Sequence, residues 1–581
     1  MTTATPATTT SSTGAPTPPG GPTAAALDAV LGDPADPANP LGHDAFLAAD
    51  ERGDLLPAGR AALEAVGLGA AFVPRELGGT LGEMDALARL LRPLFARDGA
   101  LALGHGAINL IASAPVWTSG SDAQRRQLAA TLLGGRQAAG AYTELATGHD
   151  LVRSRVRATA SGDGFLLSGR KEVINNVSRA HAVTVLARTG DGTGSRDHSL
   201  FLLDMDAVER GRLAFLPRFR TAGLRAMHLS GVDFRDCPVP AGAMVGEPGT
   251  ALETVLRAFQ VTKAVLTSAM VGCLDTQLRL VTGFVRERRL YGAPIGELPL
   301  VRSALAGAFT DLLIADCLST TACRALHLMP RQTSVYAAAT KYLVPELVQD
   351  TSEDLSVVLG ARSFLREGPY GAFQKHAQDL PVASLAHMGA TPCQAVLVPQ
   401  LPRLARHGWL VSGPAPAELF RFGTPLPDAD LGRLEITAAS DDRLMGTLLV
   451  AADRLDADPR LGPLCRILRG ELTALRDACA ALPPRERTPL TGPAGFRLAE
   501  RYALLLAAAA CLGIWLHNDH RDDPFLTDTA WLVSALRRLT ARLGHPQAPG
   551  TDDAVTDALL RELLARHDRA RAFDLEGRRL W

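Results

Sequence analysis

The sequence predicts a mainly α-helical protein with a central β domain and a helical extension at its C-terminus. Apolar residues recur at three- and four-residue spacing from about Leu27 to Leu133, for example over Met84–Leu91 and Ala123–Leu133. Short segments separated by Gly/Asp turns follow, and long stretches with helical periodicity return near residue 250. Aromatic residues make up only 5% of the chain, and abundant Ala, Leu and Arg favour helix over sheet.

Length and composition restrict the class of protein. The chain has 581 residues, 47% of them hydrophobic and 21% charged, which is typical of a globular protein with a large core. The net charge of −1 gives no reason to expect a nucleic-acid partner. Eight scattered cysteines with no Cys-x-x-Cys pair indicate reduced thiols. The longest apolar run, Tyr502–Leu516, is shorter than the roughly 20 residues that span a bilayer, and the N-terminus lacks a signal-peptide pattern. We therefore expect a cytoplasmic protein without a membrane span.

The order of these patterns predicts six segments. They are a Thr/Pro/Ser/Gly-rich disordered leader (1–24), an N-terminal helical domain (25–138), a middle β domain (139–246), a helical bundle (247–408), a linker with four prolines (409–427) and an extra helical domain (428–581). For the last segment, which carries no chemical motif, packing or assembly is the default role.

Turn signals and apolar runs place the main elements. "SGDG" at 161–164 and "TGDGTG" at 189–194 predict hairpin turns. The predicted strands are Gly164–Ser168, His181–Arg188, Ser199–Leu203 and Ser230–Phe234. The predicted bundle helices are Thr250–Glu287, Val301–Leu328, Thr333–Leu359 and one near Pro392–Arg406.

Several common catalytic motifs are absent from the sequence. There is no phosphate-cradling Gly-x-x-x-x-Gly-Lys-Ser/Thr, no Gly-x-Gly-x-x-Gly after a strand, no Gly-x-Ser-x-Gly elbow and no His-Glu-x-x-His helix. ATPase, dinucleotide-fold dehydrogenase, serine hydrolase and zinc protease functions lose support, and we expect no metal site.

Five separated stretches resemble the acyl-CoA dehydrogenase family and occur in that family's chain order. They are "FVPRELGGTLGEMDA" at 72–86, "AAGAYTELATGHDL" at 138–151, "GDGFLLSGRKEVINN" at 162–176, "GVDFRDCPVPAGAMVGEPGTAL" at 231–252 and "RRLYGAPI" at 288–295. The resemblance covers about residues 27–405. It implies an α–β–α architecture in which FAD and an acyl thioester, carried by CoA or by an acyl carrier protein, bind between the β domain and the bundle. It also implies a homodimer or a dimer of dimers.

The resemblance assigns cofactor-binding positions. Thr143 and Gly148 retain the pattern of the flavin loop, Val173 stands where the family has a tryptophan that packs on the flavin, and Asn175 replaces a threonine. Later in the chain, Arg288, Tyr291 and Val357 occupy positions that the family uses across the subunit boundary. A guanidinium suits a pyrophosphate because its planar fork donates two hydrogen bonds at once. Arg288 is thus expected to reach the FAD of the neighbouring subunit, with Tyr291 near the adenosine, whereas Val357 replaces a glutamine that contacts FAD.

The resemblance also marks the end of the site where the substrate reacts. The expected substrate-binding residues are His149, Thr262, Lys263 and Met388. His149 stands where a serine is usual, Thr262 is retained, and Lys263 replaces an arginine. In the family a glutamate removes the proton beside the thioester, yet the matching loop, "SLAHMGATPCQAVL" at 384–397, has Met388 there. A minority of the family places the glutamate on the long helix, at the position of Thr262. A carboxylate is therefore missing from both positions.

Three interpretations of the missing glutamate remain open. His387, beside Met388, is the leading candidate for a replacement base, because a neutral imidazole accepts protons near neutral pH. Alternatively, the protein keeps the flavin but runs other chemistry, such as oxygen activation. As a third alternative, it is an inactive partner in a heteromer with an active homologue, or an acyl-carrier binding protein. The sequence predicts an FAD-dependent oxidoreductase acting on an acyl thioester.

Overall fold

The structure is a computed structural model that describes residues 21–546, except 193, 210, 520 and 522, and residues 553–581. The first 20 residues of the predicted leader and Thr193 of the predicted "TGDGTG" turn lie outside the described residues. Within these ranges, helices surround one central sheet. This arrangement confirms the predicted fold class, a mainly α protein with a middle β domain and a helical extension.

The N-terminal domain is helical, and capping side chains stabilise the starts of some of its helices. The Thr23 hydroxyl accepts the Ala26 N–H, and Ser121 and Gln124 form a reciprocal capping box. The helices are α1 (Ala24–Leu31), α2 (His43–Arg52), α3 (Pro57–Ala65), α4 (Met84–Arg97), α5 (Gly99–Leu101), α6 (Ile108–Ser119) and α7 (Asp122–Leu133). A π-helical turn, Ala102–Ala107, joins α5 to α6.

The middle domain is a mostly antiparallel, eight-stranded sheet. Its strands are β1 (Gln137–Ala141), β2 (Arg157–Ser161), β3 (Gly164–Asn175), β4 (Ala180–Arg188), β5 (His198–Asp204), β6 (Leu213–Leu216), β7 (Leu229–Pro240) and β8 (Met244–Val245). The spatial order is β6-β7-β3-β2-β4-β5-β8, and β1 pairs in parallel with β4. The predicted turn at 161–164 joins β2 to β3, with Ser161 paired to Gly164. A separate hydrophobic core, which includes Phe201 and Phe234, fills this domain.

The bundle follows the sheet. Its elements are α8 (Ala251–Ala269), α9 (Val271–Glu287), the hairpin β9 (Arg289–Leu290) and β10 (Ala293–Pro294), α10 (Pro299–Leu328), α11 (Thr333–Leu359), α12 (Gly371–Asp379), α13 (Val382–Leu385), α14 (Ala390–Leu397) and α15 (Leu401–His407). The helix predicted as Thr250–Glu287 is two helices, because the chain departs from regular helix at Met270.

The extension packs against the bundle. It contains α16 (Arg443–Arg454), α17 (Leu461–Ala481), α18 (Pro493–His517), α19 (Pro524–Thr527), α20 (Thr529–Arg542) and α21 (Asp553–Asp568). The buried Asp442 carboxylate ties the two parts together, because it accepts hydrogen bonds from the hydroxyls of Tyr336 (2.9 Å) and Tyr502 (2.8 Å) and from the Trp409 indole (2.9 Å). One continuous hydrophobic core therefore extends from the N-terminal domain through the bundle into the extension.

Three helical segments are long and apolar enough to cross a membrane when judged by length and composition alone. They are Gly99–Ser119, Ala251–Glu287 and Pro493–His517. The expectation of no segment of sufficient length was wrong, because the run Tyr502–Leu516 lies inside a helix of 25 residues. Between 78% and 89% of the most apolar window of each segment is buried inside the protein, so packing accounts for the apolar composition.

Candidate active site

Glu144 holds the loop that follows β1. Its carboxylate accepts hydrogen bonds from the Ser154 hydroxyl at 2.7 Å, from the Arg155 N–H at 2.9 Å and from Lys171 Nζ at 2.9 Å. Burial is the largest single effect on the pKa of Glu144 and would raise it, but the charge of Lys171 and the hydrogen bonds from Lys171, Ser154 and Arg155 together outweigh burial, so the pKa is lowered. Lys171 also donates to the Tyr142 carbonyl oxygen at 3.1 Å. Glu144 is therefore a structural anchor for the loop that carries three of the predicted site residues.

A sharp turn before α14 presents His387 to the bundle. His387 and Met388 have φ values of 52° and 54°, in the left-handed region that non-glycine residues seldom adopt. Gly389 completes the turn, and a Cβ at this position would lie 2.0 Å from the Ser384 carbonyl oxygen, so only glycine fits. The Met388 side chain, 8% exposed, belongs to the hydrophobic core. The residue at the predicted base position is thus a packing residue.

His387 lies against α8. Its ring meets Phe259 edge to face with centroids 4.4 Å apart, and its Nε2 lies 2.5 Å from the Thr262 hydroxyl oxygen. Phe259 and Thr262 share one face of α8 because they are three residues apart. His387 Nδ1 has no hydrogen-bond partner among the residues that the structure describes. On the other side of the turn, His149 Nε2 lies 3.3 Å from the Leu385 carbonyl oxygen, so the β-domain loop closes over this turn.

Positive charge surrounds His387. Burial lowers its pKa well below the ordinary 6.5, and the charges of Lys341 and Lys263 act in the same direction. His149 adds a smaller effect of the same sign. His387 is therefore a neutral imidazole at pH 7 and can accept a proton.

Lys263 and Lys341 are buried without a counter-charge. They expose only 4% and 7% of their surfaces, and within the described part of the chain neither side chain forms a hydrogen bond or an ion pair. Burial, helped by the like charge of Lys263, lowers the pKa of Lys341 to about 8 despite a small opposing effect of Cys393. Sequence reasoning identified Lys263 but missed Lys341, which α11 brings to the site.

The predicted flavin-side residues lie at the end of β3 and in the adjoining loop. Val173 and Asn175 alternate with the buried Ile174, so they share one face of the strand. Asn175 donates from Nδ2 to the Leu103 carbonyl oxygen at 3.2 Å, while its buried Oδ1 has no donor among the described residues. The Thr143 hydroxyl has no protein partner in that part of the chain either. Gly148 has φ 55° and open space where a Cβ would stand.

Arg288 and Tyr291 do not join the other predicted residues. They follow the C-terminus of α9, and the 37-residue helical segment Ala251–Glu287 places Arg288 up to about 39 Å from Thr262 along the helix axis. Tyr291 is 96% exposed, and the Arg288 guanidinium forms no ion pair or hydrogen bond with the described residues. Val357 is also exposed. These three side chains are available to a ligand or a chain outside their own protomer.

A cavity of about 920 Å³ lies elsewhere, between the N-terminal helices, α9 and the C-terminal segment. None of the predicted site residues lines it. Asp275, Asp574 and Arg279 face it together with Trp581, and most of these charges are paired with one another or with neighbouring protein groups. The cavity is therefore separate from the site around His387.

Two family models match the sequence. "Acyl-CoA dehydrogenase, middle domain" matches residues 139–237, and "Acyl-CoA dehydrogenase, C-terminal domain" matches residues 252–394. The chain is 24% identical over 318 residues to the probable acyl-CoA dehydrogenase FadE25 of Mycobacterium tuberculosis. This alignment covers 55% of this chain and 81% of that relative. It is also 24% identical over 336 residues to the human mitochondrial short-chain specific acyl-CoA dehydrogenase, in an alignment that covers 57% of this chain and 79% of that relative.

Solved structures share the fold. An acyl-CoA dehydrogenase of Bacillus anthracis, solved as a complex with FAD, is similar with a TM-score of 0.70 and 17% identity, covering 93% of this chain and 87% of that one. Butyryl-CoA dehydrogenase of Megasphaera elsdenii has a TM-score of 0.56 and 19% identity, covering 60% and 91%. The likeness to the first structure includes the extension, whereas the second covers little more than half of this chain.

Proposed function

The chain belongs to the acyl-CoA dehydrogenase superfamily, and from this premise we propose that it is an FAD-dependent oxidoreductase acting on an acyl thioester of CoA or of an acyl carrier protein. The observation that carries the proposal is the position of His387. A neutral imidazole with an unpartnered Nδ1 lies against α8, in the turn that the β-domain loop contacts, beside the position at which the resemblance expects a base.

The residues present fit FAD. The free Thr143 hydroxyl can donate to the isoalloxazine ring, and the orphaned Oδ1 of Asn175 needs an N–H donor of the kind that a flavin ring supplies. The open space at Gly148 leaves room for close approach to the loop. The unpaired Arg288 guanidinium suits a pyrophosphate. Bound FAD would supply the capacity to accept a hydride from the acyl chain.

His387 is the proposed base. The Thr262 hydroxyl lies 3.2 Å from the Phe259 carbonyl oxygen and donates to it, so the hydroxyl oxygen is free to accept the Nε2–H of His387 at 2.5 Å. This pairing fixes the tautomer in which Nδ1 keeps its lone pair. Nδ1 would take the proton from the carbon beside the thioester, provided that carbon lies within about 3 Å. The role of Thr262 is thus to orient the ring.

The separated cofactor residues support a homodimer. Arg288 follows Thr262 by 26 residues, nearly all of them helical, and Tyr291 is exposed, so both side chains are open to the site of a second copy. A second copy would bring its own Arg288 to the cofactor of the first. The resemblance also leaves open a heteromer with an active homologue.

Visible absorption of the purified protein tests the proposal. Bands at roughly 370 and 450 nm would show bound flavin, and their bleaching on anaerobic addition of an acyl thioester would show oxidation of that thioester. His387→Gln should retain the bands but lose bleaching. Val173→Ala is the control, because it changes the flavin side without removing a proton-accepting group, and its flavin should still be bleached. A protein that stays colourless with added FAD would contradict the proposal and favour an inactive partner. A yellow protein that no thioester bleaches would favour different flavin chemistry.

A further inference from the structure

The chain uses lysine in an unusually selective way. Of its 60 Lys and Arg residues only four are lysine, namely Lys171, Lys263, Lys341 and Lys375. All four are buried, with exposures of 0%, 4%, 7% and 5% in that order. Lys171 and Lys375 contact carboxylates, whereas Lys263 and Lys341 contact none among the described residues. Arginine serves as the surface cation, so the two unpaired lysines are not incidental members of a basic surface.

No acidic group balances this pair. The charged or titratable groups that act on Lys341 are Cys393 and Lys263, and those that act on His387 are Lys341, Lys263 and His149. All of these except the Cys393 thiol are bases. A buried ammonium without a counter-charge costs free energy unless an anion accompanies it. The described protein does not supply that anion, which points to a ligand.

The unpaired lysines lie at the reacting end of the proposed site. Lys263 is one turn along α8 from Phe259, which packs on His387, and it adjoins Thr262, which hydrogen-bonds to His387. Lys341 comes from α11, which packs on both α8 and α14. Both ammonium groups are close enough to the proposed base for their charges to act on it.

We propose that Lys263 and Lys341 form a binding site for a carboxylate on the acyl chain, so that the substrate is the monothioester of a short dicarboxylic acid. This inference rests on the proposed function and names its substrate class. Two ammonium groups from different helices match the two oxygens of one carboxylate. Because the carboxylate and the thioester belong to one molecule, and both lysine charges act on His387, the acyl chain between the two groups is short.

The carboxylate would also act on His387. The charges of Lys263 and Lys341 disfavour protonation of the imidazole, and a carboxylate held between them would oppose that effect. A neutral acyl chain would leave the unfavourable field in place. Substrates that carry the carboxylate would therefore meet a stronger base than substrates that lack it.

Matched thioesters test the inference on the full-length protein as purified. Glutaryl-CoA and valeryl-CoA have the same chain length and differ by the terminal carboxylate, and their dissociation constants are measured by calorimetry. We expect glutaryl-CoA to bind roughly tenfold or more tightly, as for a buried charge pair. Lys263→Met and Lys341→Met should each remove that preference, so that glutaryl-CoA and valeryl-CoA bind with similar affinity.

Isotope-labelled lysine gives a second measurement that needs neither variants nor turnover. The four lysine side chains give four side-chain NMR signals, and Lys171 and Lys375, already paired with carboxylates, are internal controls. Glutaryl-CoA should move two signals and raise the pH at which the Lys341 signal titrates, whereas valeryl-CoA should not. Free glutarate should move the same two signals only at much higher concentration; equal potency would overturn the thioester assignment.

The outcomes separate this inference from the proposed function. A flavin bleached by valeryl-CoA, in a protein that binds both thioesters equally, would overturn the carboxylate site and leave the redox function standing. A preference for glutaryl-CoA that depends on the lysines, without bleaching of the flavin by either compound, would support the carboxylate site and contradict the redox function. Binding of neither thioester would overturn both.

Discussion

Replacing Lys341 by methionine should stabilise the ligand-free protein, while the same replacement at Lys375 should destabilise it. The two lysines are equally buried but differ in their partners. Lys375 Nζ lies 2.7 Å from Asp98 Oδ2 and 2.6 Å from Asp379 Oδ2, whereas Lys341 has no carboxylate partner in the described chain. Methionine retains much of the lysine volume, so the charge is the main difference.

The magnitudes follow from the charges. At about 1.4 kcal/mol per pH unit, a pKa of about 8 for Lys341 instead of 10.5 corresponds to about 3 kcal/mol against the folded protein at pH 7. Below pH 8 the lysine is protonated in both the folded and unfolded states, and this penalty is fully present. Between pH 8 and 10.5 the unfolded state binds more protons, so the penalty fades as the pH rises. Removal of Lys375 leaves two buried carboxylates and should cost about 3–5 kcal/mol.

Thermal unfolding of dialysed protein, followed by calorimetry at pH 7 and at pH values up to 10, measures both effects. We expect opposite shifts of the transition temperature for the two variants at pH 7, and a stabilisation by Lys341→Met that shrinks above pH 8. Equal destabilisation by both variants would refute the reasoning, because it would mean that Lys341 has an anionic partner in the ligand-free protein. A stabilisation that does not change with pH would show that packing, and not charge, is responsible.

Three further substitutions test the framework of the site. Glu144→Gln leaves Lys171 buried without its carboxylate and should lower the free energy of unfolding by about 3 kcal/mol and release flavin; an unchanged melting temperature would contradict the anchoring role. Asp442→Asn replaces one acceptor oxygen by an NH2 group that faces hydroxyl and indole donors, should cost about 2 kcal/mol and should speed proteolytic release of the extension; an unchanged cleavage rate would count against it. Arg288→Ala should weaken FAD binding about tenfold in a titration of the apoprotein, and unaltered affinity would remove Arg288 from the cofactor site.

In the β domain, the sequence predicted strands that are bounded by turn residues, but not strands that depend on pairing with distant parts of the chain. "SGDG" fixed the β2–β3 hairpin, and Ser161 pairs with Gly164 as expected. The strand predicted to end at Ser168 continues to Asn175, because pairing with β7 holds a charged stretch in extended form. β1 is not among the strands that turn signals and apolar runs placed, and only the resemblance of 138–151 to a strand and loop of the family indicated it. Its sequence, Gln-Ala-Ala-Gly-Ala, has no β-branched residue, and parallel pairing with β4 alone makes it a strand.

The site was predictable to a similar extent. His387 and Thr262 were both named from the sequence, and the structure joins them by a hydrogen bond. The left-handed turn that aims His387 could not be foreseen, since its φ values belong to residues with no intrinsic preference for them. Lys341 lies in an apolar helix, where its neighbours depend on how α11 packs against α8. The scarcity of lysine was the signal in the sequence that could have drawn attention to it.

The missing glutamate and the unpaired lysines both make the surroundings of His387 more positive. A carboxylate at position 388 would lie in the turn beside His387, within reach of the positive field that Lys263 and Lys341 exert there. Met388 removes that negative charge and leaves both ammonium groups in place, at a cost that a buried pair of cations cannot avoid alone. Had the site lost all chemical function, replacement of the lysines by apolar residues would relieve this cost, as is expected for Lys341→Met. The presence of both lysines in this site is consistent with the proposed anion that arrives with the substrate, and the same anion would restore basicity to His387 at the moment when a proton must be taken.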